Sequence, residues 1–284
     1  MLDVLPFFIA IALVLVVLGA FLFKNRHGKG RPEAHAASKP DARNSESVPA
    51  SPAAPAPDVP IEQLETSAVA ATSSAPYQLK ADLLALAFAG SATRKDGKDI
   101  SFAVREIGLL NITSGQVAAS DPMVAPDPPG FTRAVPNGRH PVSVAIARFG
   151  SDERIAYARL RFSDAAPVHW EMALLATDNP AKLGPGEFFA YGVDTGTGCF
   201  MDPRAGQLLN ARMEAEEDYF EVIIEEMDKT YAHTRSWADI RPDPAAPENV
   251  ICFSSGWGDG SYPSFFGLDA DGRPVVLVTD FLVT

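Results

Sequence analysis

The chain has 284 residues, 46% of them apolar, and a formal charge of −12. That length holds one ordinary-to-large domain or two small ones. The acidity, 29 Asp and Glu against 18 Lys and Arg from Tyr77 onward, repels phosphate backbones and argues against a nucleic-acid partner.

Residues 5–23, LPFFIAIALVLVVLGAFLF, carry no charge. As a helix rising about 1.5 Å per residue they would span roughly 28 Å, close to the hydrocarbon thickness of a bilayer. Asp3 alone precedes the run, and Lys24, Arg26, Lys29 and Arg31 follow it. Positive flanks stay in the cytoplasm, so residues 1–31 are expected as a single-pass anchor in the plasma (inner) membrane, N-terminus out and the rest of the chain inside. A cleaved signal peptide fits poorly, because its charge should precede the apolar core, and Ala34-His35-Ala36 lies too far beyond it for a usual cleavage site. The sequon Asn111-Ile112-Thr113 would then never meet the glycosylation machinery. Cys199 and Cys252, far apart in sequence, make neither a zinc motif nor a disulfide framework and are expected as buried free thiols in a reducing compartment.

Residues 32–76 are rich in Ala, Pro and Ser. Such a composition buries too little apolar surface to offset its ordering entropy and is expected as a disordered tether. From 77 to 284 strand-like alternation recurs. Residues 103–122 read as two short strands around Ser114-Gly115. Residues 141–150 and 154–162 form a hairpin across Ser151-Asp152-Glu153, and further strands fall at 168–175, 187–194 and 249–256. A last hairpin over 264–283 turns at Asp269–Arg273.

One helix stands out. Asp202 is a good N-cap and Pro203 suits the first helical position. Leu209, Met213, Phe220, Ile224, Met227 and Tyr231 then recur at helical spacing. Glu214, Glu217, Asp218, Glu221, Glu225 and Asp228 make the opposite face, read as solvated, with a docking surface for a basic partner as the sharper alternative. The expected fold is α+β and β-dominated: two packed, mostly antiparallel sheets with one prominent acidic amphipathic helix, plus the N-terminal transmembrane helix.

Asp194-Thr195-Gly196 is the tripeptide of aspartic proteases, but those need two such carboxylates sharing a proton. The chain holds one copy, followed by a helix instead of a flap. Either it is a glycine-rich turn in which Gly196 and Gly198 allow positive φ, or it is a ligand loop presenting N–H groups near a helix N-terminus. The second cluster is Ser254–Pro263, where glycines flank Trp257 and Asp259. It is a turn with Trp257 folded onto the core or a binding loop. Asp269-Ala270-Asp271-Gly272 lacks the further ligands of a calcium loop and reads as a plain turn. His233 reads as a helix-end or core residue rather than a general base, and His140 and His169 have no neighbouring nucleophile in sequence. Nucleophile elbow, HExxH and P-loop motifs are missing.

Ile112-Thr113-Ser114-Gly115, Ala119-Ser120-Asp121-Pro122, FGSDERIAYARLRFS, WEMALL, GVDTGTGCFMD, EEMDKTY and FSSGWGDGSYPSFFGLDADGRPVVLVTDF occur in that order. Together they resemble the bacterial family called domain of unknown function 4241, over about residues 105–284. The resemblance implies a β-dominated domain and brings no established reaction. Two functions stay open. The preferred one is a tethered binding domain for an unknown protein or small ligand, for example in toxin immunity or as an envelope scaffold. Its contact residues would be Thr195, Gly196, Gly198, Trp257, Gly258, Asp259 and His233. The alternative is a hydrolase or metal-assisted enzyme with candidate carboxylates Glu171, Asp194, Asp259 and Asp280. No metal site and no cofactor is expected, and the remaining partner is the lipid bilayer through residues 5–23.

Overall fold

The computed structural model describes residues 75–95 and 97–284. The expected anchor, and the linker up to residue 74, lie outside the described residues. Among the described residues no helix is long and apolar enough to cross a membrane. The described chain is β-dominated, with mostly antiparallel sheets and few helices.

Tyr77 is already fixed, its N–H bonded to the Glu187 carbonyl at 3.0 Å. Helix α1, Ala81–Phe88, follows. It is built from strong helix formers, buries Leu84 and Ala87, and packs on the next long strand. Then come β1 (Ala92–Lys95), β2 (Lys98–Ile112), β3 (Ala118–Ser120), β4 (Gly138–Phe149), β5 (Asp152–Arg161), β6 (His169–Met172), β7 (Tyr191–Val193) and β8 (Thr197–Met201). Helices α2 (Pro203–Ala215) and α3 (Tyr219–Asp228) precede β9 (Trp237–Ile240), β10 (Val250–Ser254), β11 (Gly260–Tyr262), β12 (Ser264–Leu268) and β13 (Pro274–Asp280).

Seven strands form one sheet, in the order β1-β2-β4-β5-β13-β12-β6, and four form a second, β3-β8-β10-β9. A two-stranded ribbon pairs β7 with β11. The hairpins expected over 141–162 and 264–283 are both present. The two strands expected around Ser114-Gly115 are unequal: β2 runs for 15 residues in the large sheet, while β3 has 3 in the small one. The chain therefore changes sheets at that turn.

The small sheet is a middle layer, buried on both faces. Alternation along β8 and β10 sends Phe200, Ile251 and Phe253 into the core shared with the large sheet. Cys199, Met201, Val250 and Cys252 point the other way, to Leu209 of α2 and Ile223 and Met227 of α3. Each such aliphatic side chain stabilises by about 1.5–3 kcal/mol on burial. The two sheets are also stitched at their polar edges. Asn249, at the start of β10, accepts from the Asn111 N–H at 2.9 Å and donates to the Leu109 carbonyl at 3.0 Å and to Asp239 Oδ1 at 2.7 Å.

The single long helix expected from Asp202 is two helices. Asp202 and Pro203 start α2 as the sequence indicates, Asp202 accepting from the Arg204 N–H at 2.8 Å. The chain becomes extended at Glu216 and restarts after Asp218. Glu214, Glu216, Glu217 and Asp218 crowd like charges at the negative end of the α2 dipole, which disfavours continuing the helix there. The break resets the phase: α3 buries Tyr219, Ile223 and Met227, while Phe220, Ile224 and Tyr231, expected inside, are exposed. The six acidic residues of the expected polar face are all exposed.

Cys199 and Cys252 are free, fully buried and directly opposite each other across β8 and β10. Burial pushes the Cys199 thiol up to about 12, and Cys252 is also raised well above the ordinary range. The thiolate is the reactive form, so both should resist a disulfide-exchange reagent at pH 8 in the folded chain. Two equivalents should be released only after denaturation, as followed by thiol titration.

Candidate functional site

The site is set by the short antiparallel pair β3–β8. Each strand ends in a buried aspartate: Asp121, 1% exposed, just after β3, and Asp202, 0% exposed, just after β8. Each carboxylate collects the N–H groups of the turn that leads into the other strand. Asp121 Oδ2 accepts from the N–H of Asp194 (2.9 Å) and Thr195 (2.8 Å), and Oδ1 from that of Met123 (3.0 Å). The Thr195 hydroxyl also donates to Asp121, at 2.9 Å to Oδ2. Asp202 Oδ2 accepts from the N–H of Thr113 and Ser114, both at 2.7 Å, while Oδ1 caps α2. A buried carboxylate without such donors would cost several kcal/mol; three or more charge-assisted hydrogen bonds offset that cost.

The Asp194 tripeptide is thus held by its backbone. Its peptide N–H groups point inward to Asp121, and the Asp194 side chain is exposed. Gly196 has φ +70, as a tight turn needs. Gly198 has no positive φ, contrary to expectation, and its lack of a side chain serves close approach instead. A Cβ there would lie 2.8 Å from the Tyr191 hydroxyl oxygen and 3.2 Å from the Phe253 ring.

The two glycine-rich loops meet. The Ser255 N–H donates to the Gly196 carbonyl at 3.0 Å, and a Cβ on Gly196 would lie 3.7 Å from the Gly258 Cα. The β7–β11 ribbon pairs Val193 with Gly260, the residues next to Asp194 and Asp259 in the chain. The second loop is closed by the Ser255 and Tyr262 hydroxyls, which donate to the Gly258 carbonyl at 2.9 and 2.8 Å. Trp257 at its tip is 55% exposed. The indole stacks on Phe149 with centroids 5.9 Å apart and 16° between planes, and the Arg154 guanidinium lies over it at 5.0 Å. Trp257 is therefore positioned at the end of the β4–β5 hairpin without being buried in the core.

That hairpin end also holds Glu153, a buried acid. Its carboxylate pairs with Arg148 and Arg235, each at 2.8 Å, and lies 4.0 Å from His233 Nε2. The Thr234 hydroxyl donates to the Glu153 carbonyl. The loop leaving α3 is thereby clamped to the large sheet, and His233, at φ +57, is its exposed corner. Burial alone would push the Glu153 carboxyl up; Arg235, with help from Arg148 and His233, outweighs this and holds it below the usual carboxylate range.

The other two candidate carboxylates lie elsewhere. Glu171 sits on β6 opposite Phe266 and is taken in bidentate fashion by Arg133. Asp280 ends β13, 1% exposed, and accepts from the Tyr77 hydroxyl at 2.7 Å and the Leu282 N–H at 2.8 Å. Burial pushes its carboxyl above the usual range despite those bonds. No contact joins Glu171 or Asp280 to Asp194 or Asp259. Among the described residues no group of three His, Cys, Asp or Glu side chains could hold a metal ion. Asp121 and Asp202, the residues that organise the site, carry no chemistry in the sequence reading. Both stand in motifs that carry the family resemblance, and Asp202 is also legible as a helix N-cap.

Two outcomes follow for the full chain. Asp121→Ala and Asp202→Ala each orphan buried N–H groups and should lower unfolding free energy by about 3–5 kcal/mol, whereas Asp194→Ala, losing only an exposed side chain, should stay within about 0.5 kcal/mol; urea denaturation measures all three. Glu153 has a folded pKa below its unfolded one, so its pairing stabilises fully above the unfolded value of about 4.3 and is lost as pH falls through the folded value. The stability gap between wild type and Glu153→Gln should therefore narrow steadily below about pH 4.

Residues 110–279 match a family model described as Protein of unknown function (DUF4241). No curated protein and no solved structure matches the chain. The matched span takes in both aspartates, both glycine-rich loops and the hairpin beneath Trp257. It covers more than half of the sequence, and the chain belongs to the DUF4241 family.

Proposed function

We propose that this chain is a membrane-tethered binding domain on the cytoplasmic side of the inner membrane. It takes its partner, a protein or a small ligand, on the surface made by the loops around Asp194 and Trp257. The observation that carries this reading is Trp257. A half-exposed indole already fixed between Phe149 and Arg154 loses little conformational entropy on binding, and such aromatic anchors dominate recognition surfaces. Asp194, Thr195 and Asp259 beside it, and His233 near the same hairpin end, supply polar groups for the rim. A role in toxin immunity or as an envelope scaffold is compatible with such a surface. A hydrolase using clustered carboxylates draws less support, because Glu171 is engaged by Arg133 and Asp280 by Tyr77.

Topology and surface are tested separately. A reporter that matures only in the periplasm, fused after Thr284, should stay dark; a bright signal would place the domain on the other side. In cross-linking from native membranes, Trp257→Ala should lower recovery of the wild-type partner at least tenfold while costing less than about 1 kcal/mol of stability. Unchanged recovery would remove this surface as the recognition site.

A further inference from the structure

A second site lies away from those loops. Helix α1 forms one wall of a groove of about 440 Å³, with β5, β6 and β13 of the large sheet and the segment 163–167 around it, a size typical of small-ligand clefts. The strand register places Arg161, Val276, Gly267 and Trp170 in one row across the sheet. Paired positions face the same side, so these four share a face. Gly267 is the notch in that row. A Cβ there would lie 2.6 Å from Val276 Cγ1, 2.8 Å from Pro167 Cβ and 3.1 Å from Trp170 Cη2, so the edge of the indole, with Pro167, closes over the glycine beside Val276. Leu84, Ala85 and Phe88 of α1 supply further apolar lining.

Arg159 is one of the charged residues in this lining, with Arg161, Asp82 and Asp164. Its guanidinium lies over the Phe88 ring at 3.8 Å, and Nε donates to the Ser143 hydroxyl at 3.2 Å. Among the described residues it has no carboxylate partner. Of the two acids that line the groove, Asp164 pairs with Arg161 at 3.3 Å and Asp82 is exposed. A planar, partly buried cation with both terminal nitrogens unassigned is shaped for bidentate contact with a carboxylate or phosphate. Burial, with the charge of Arg161 alongside, pushes this guanidinium down to about 10, as expected for a cation short of an anion.

We propose that this groove binds a small aromatic acid, its carboxylate or phosphate on Arg159 and its ring against Trp170 and the α1 wall. Two features select that class together. The guanidinium asks for a planar anion, and the Gly267 notch, by letting the indole lie over the sheet, offers a flat apolar surface for a ring. The site is independent of the loops around Trp257, so either reading stands without the other.

The test uses the full chain in zwitterionic nanodiscs and calorimetric titration with 2-naphthoate, 2-naphthyl phosphate and the neutral 2-naphthamide. At least one of the two acids should bind saturably, one per chain, and at least ten times more tightly than the amide. Arg159→Gln should bring the acid down to the level of the amide, and Trp170→Leu should weaken acid and amide alike. The comparison of acid with amide on the wild type decides the matter even if Arg159→Gln folds poorly. Equal affinity for acids and amide, no saturable heat up to about 1 mM, or full binding in a folded Arg159→Gln variant would each overturn the proposal.

Discussion

Two buried carboxylates, each closing the turn that feeds the strand beside it, hold this domain together. Asp121 ends β3 and binds the turn into β8; Asp202 ends β8 and binds the turn into β3. Neither strand pair nor turn would be stable alone, since β3 has only 3 residues. The arrangement is reciprocal, so losing one carboxylate loosens the strand that positions the other. Asp202 extends the effect further, because its second oxygen caps α2. One side chain thus fixes the crossing from the large sheet, the edge of the small sheet and the start of the helical layer.

The surface that carries Trp257 follows from this constraint. Once Asp121 holds Asp194 and Thr195 by their N–H groups, the Gly196 carbonyl is fixed to receive the Ser255 N–H. The second loop is then placed, and its tip meets Phe149 and Arg154 at the end of the β4–β5 hairpin. Glu153 performs a matching task from the other side, tying that hairpin to the loop that leaves α3 through Arg235 and Thr234. Chain segments distant in sequence meet there: Asp121 holds the loop at Asp194, Glu153 ties the hairpin to the loop after α3, and the Trp257 loop is fixed through the Gly196 carbonyl.

That remoteness explains what could and could not be read in the sequence. The β4–β5 and β12–β13 hairpins were legible because alternation and a polar turn are local signals, as were Asp202 and Pro203 at the start of α2. The interruption after α2 was not. Met213 and Met227 fit one continuous helical stripe, and a short break moves the buried set by a single residue, from Phe220 and Ile224 to Tyr219 and Ile223, which a spacing count does not detect. Helix α1 hid in a run of Ala and Leu continuous with the Ala-rich segment before it. Asp121 could not announce its role, since the turn it closes lies 73 and 74 residues downstream. Asp194 drew attention as a carboxylate, whereas the fold uses its amide.

The division between buried and exposed motif residues also separates what folding requires from what it leaves available. Asp121, Asp202, Glu153 and Asn249 are buried and have their polar atoms engaged, so stability alone accounts for their presence. Trp257, Asp194 and Asp259 are exposed, and the two carboxylates hold nothing in place. An indole left half in water forgoes part of the burial free energy that a core position would provide, on the order of 25 cal/mol for each Å² still exposed. Arg159 has no carboxylate partner among the described residues, whereas Glu153 and Glu171 are both paired with arginine. A fold that closes its turns with internal acids leaves the Trp257 indole fixed but half exposed and the Arg159 guanidinium without a carboxylate partner among the described residues, and the two proposed binding sites rest on those side chains.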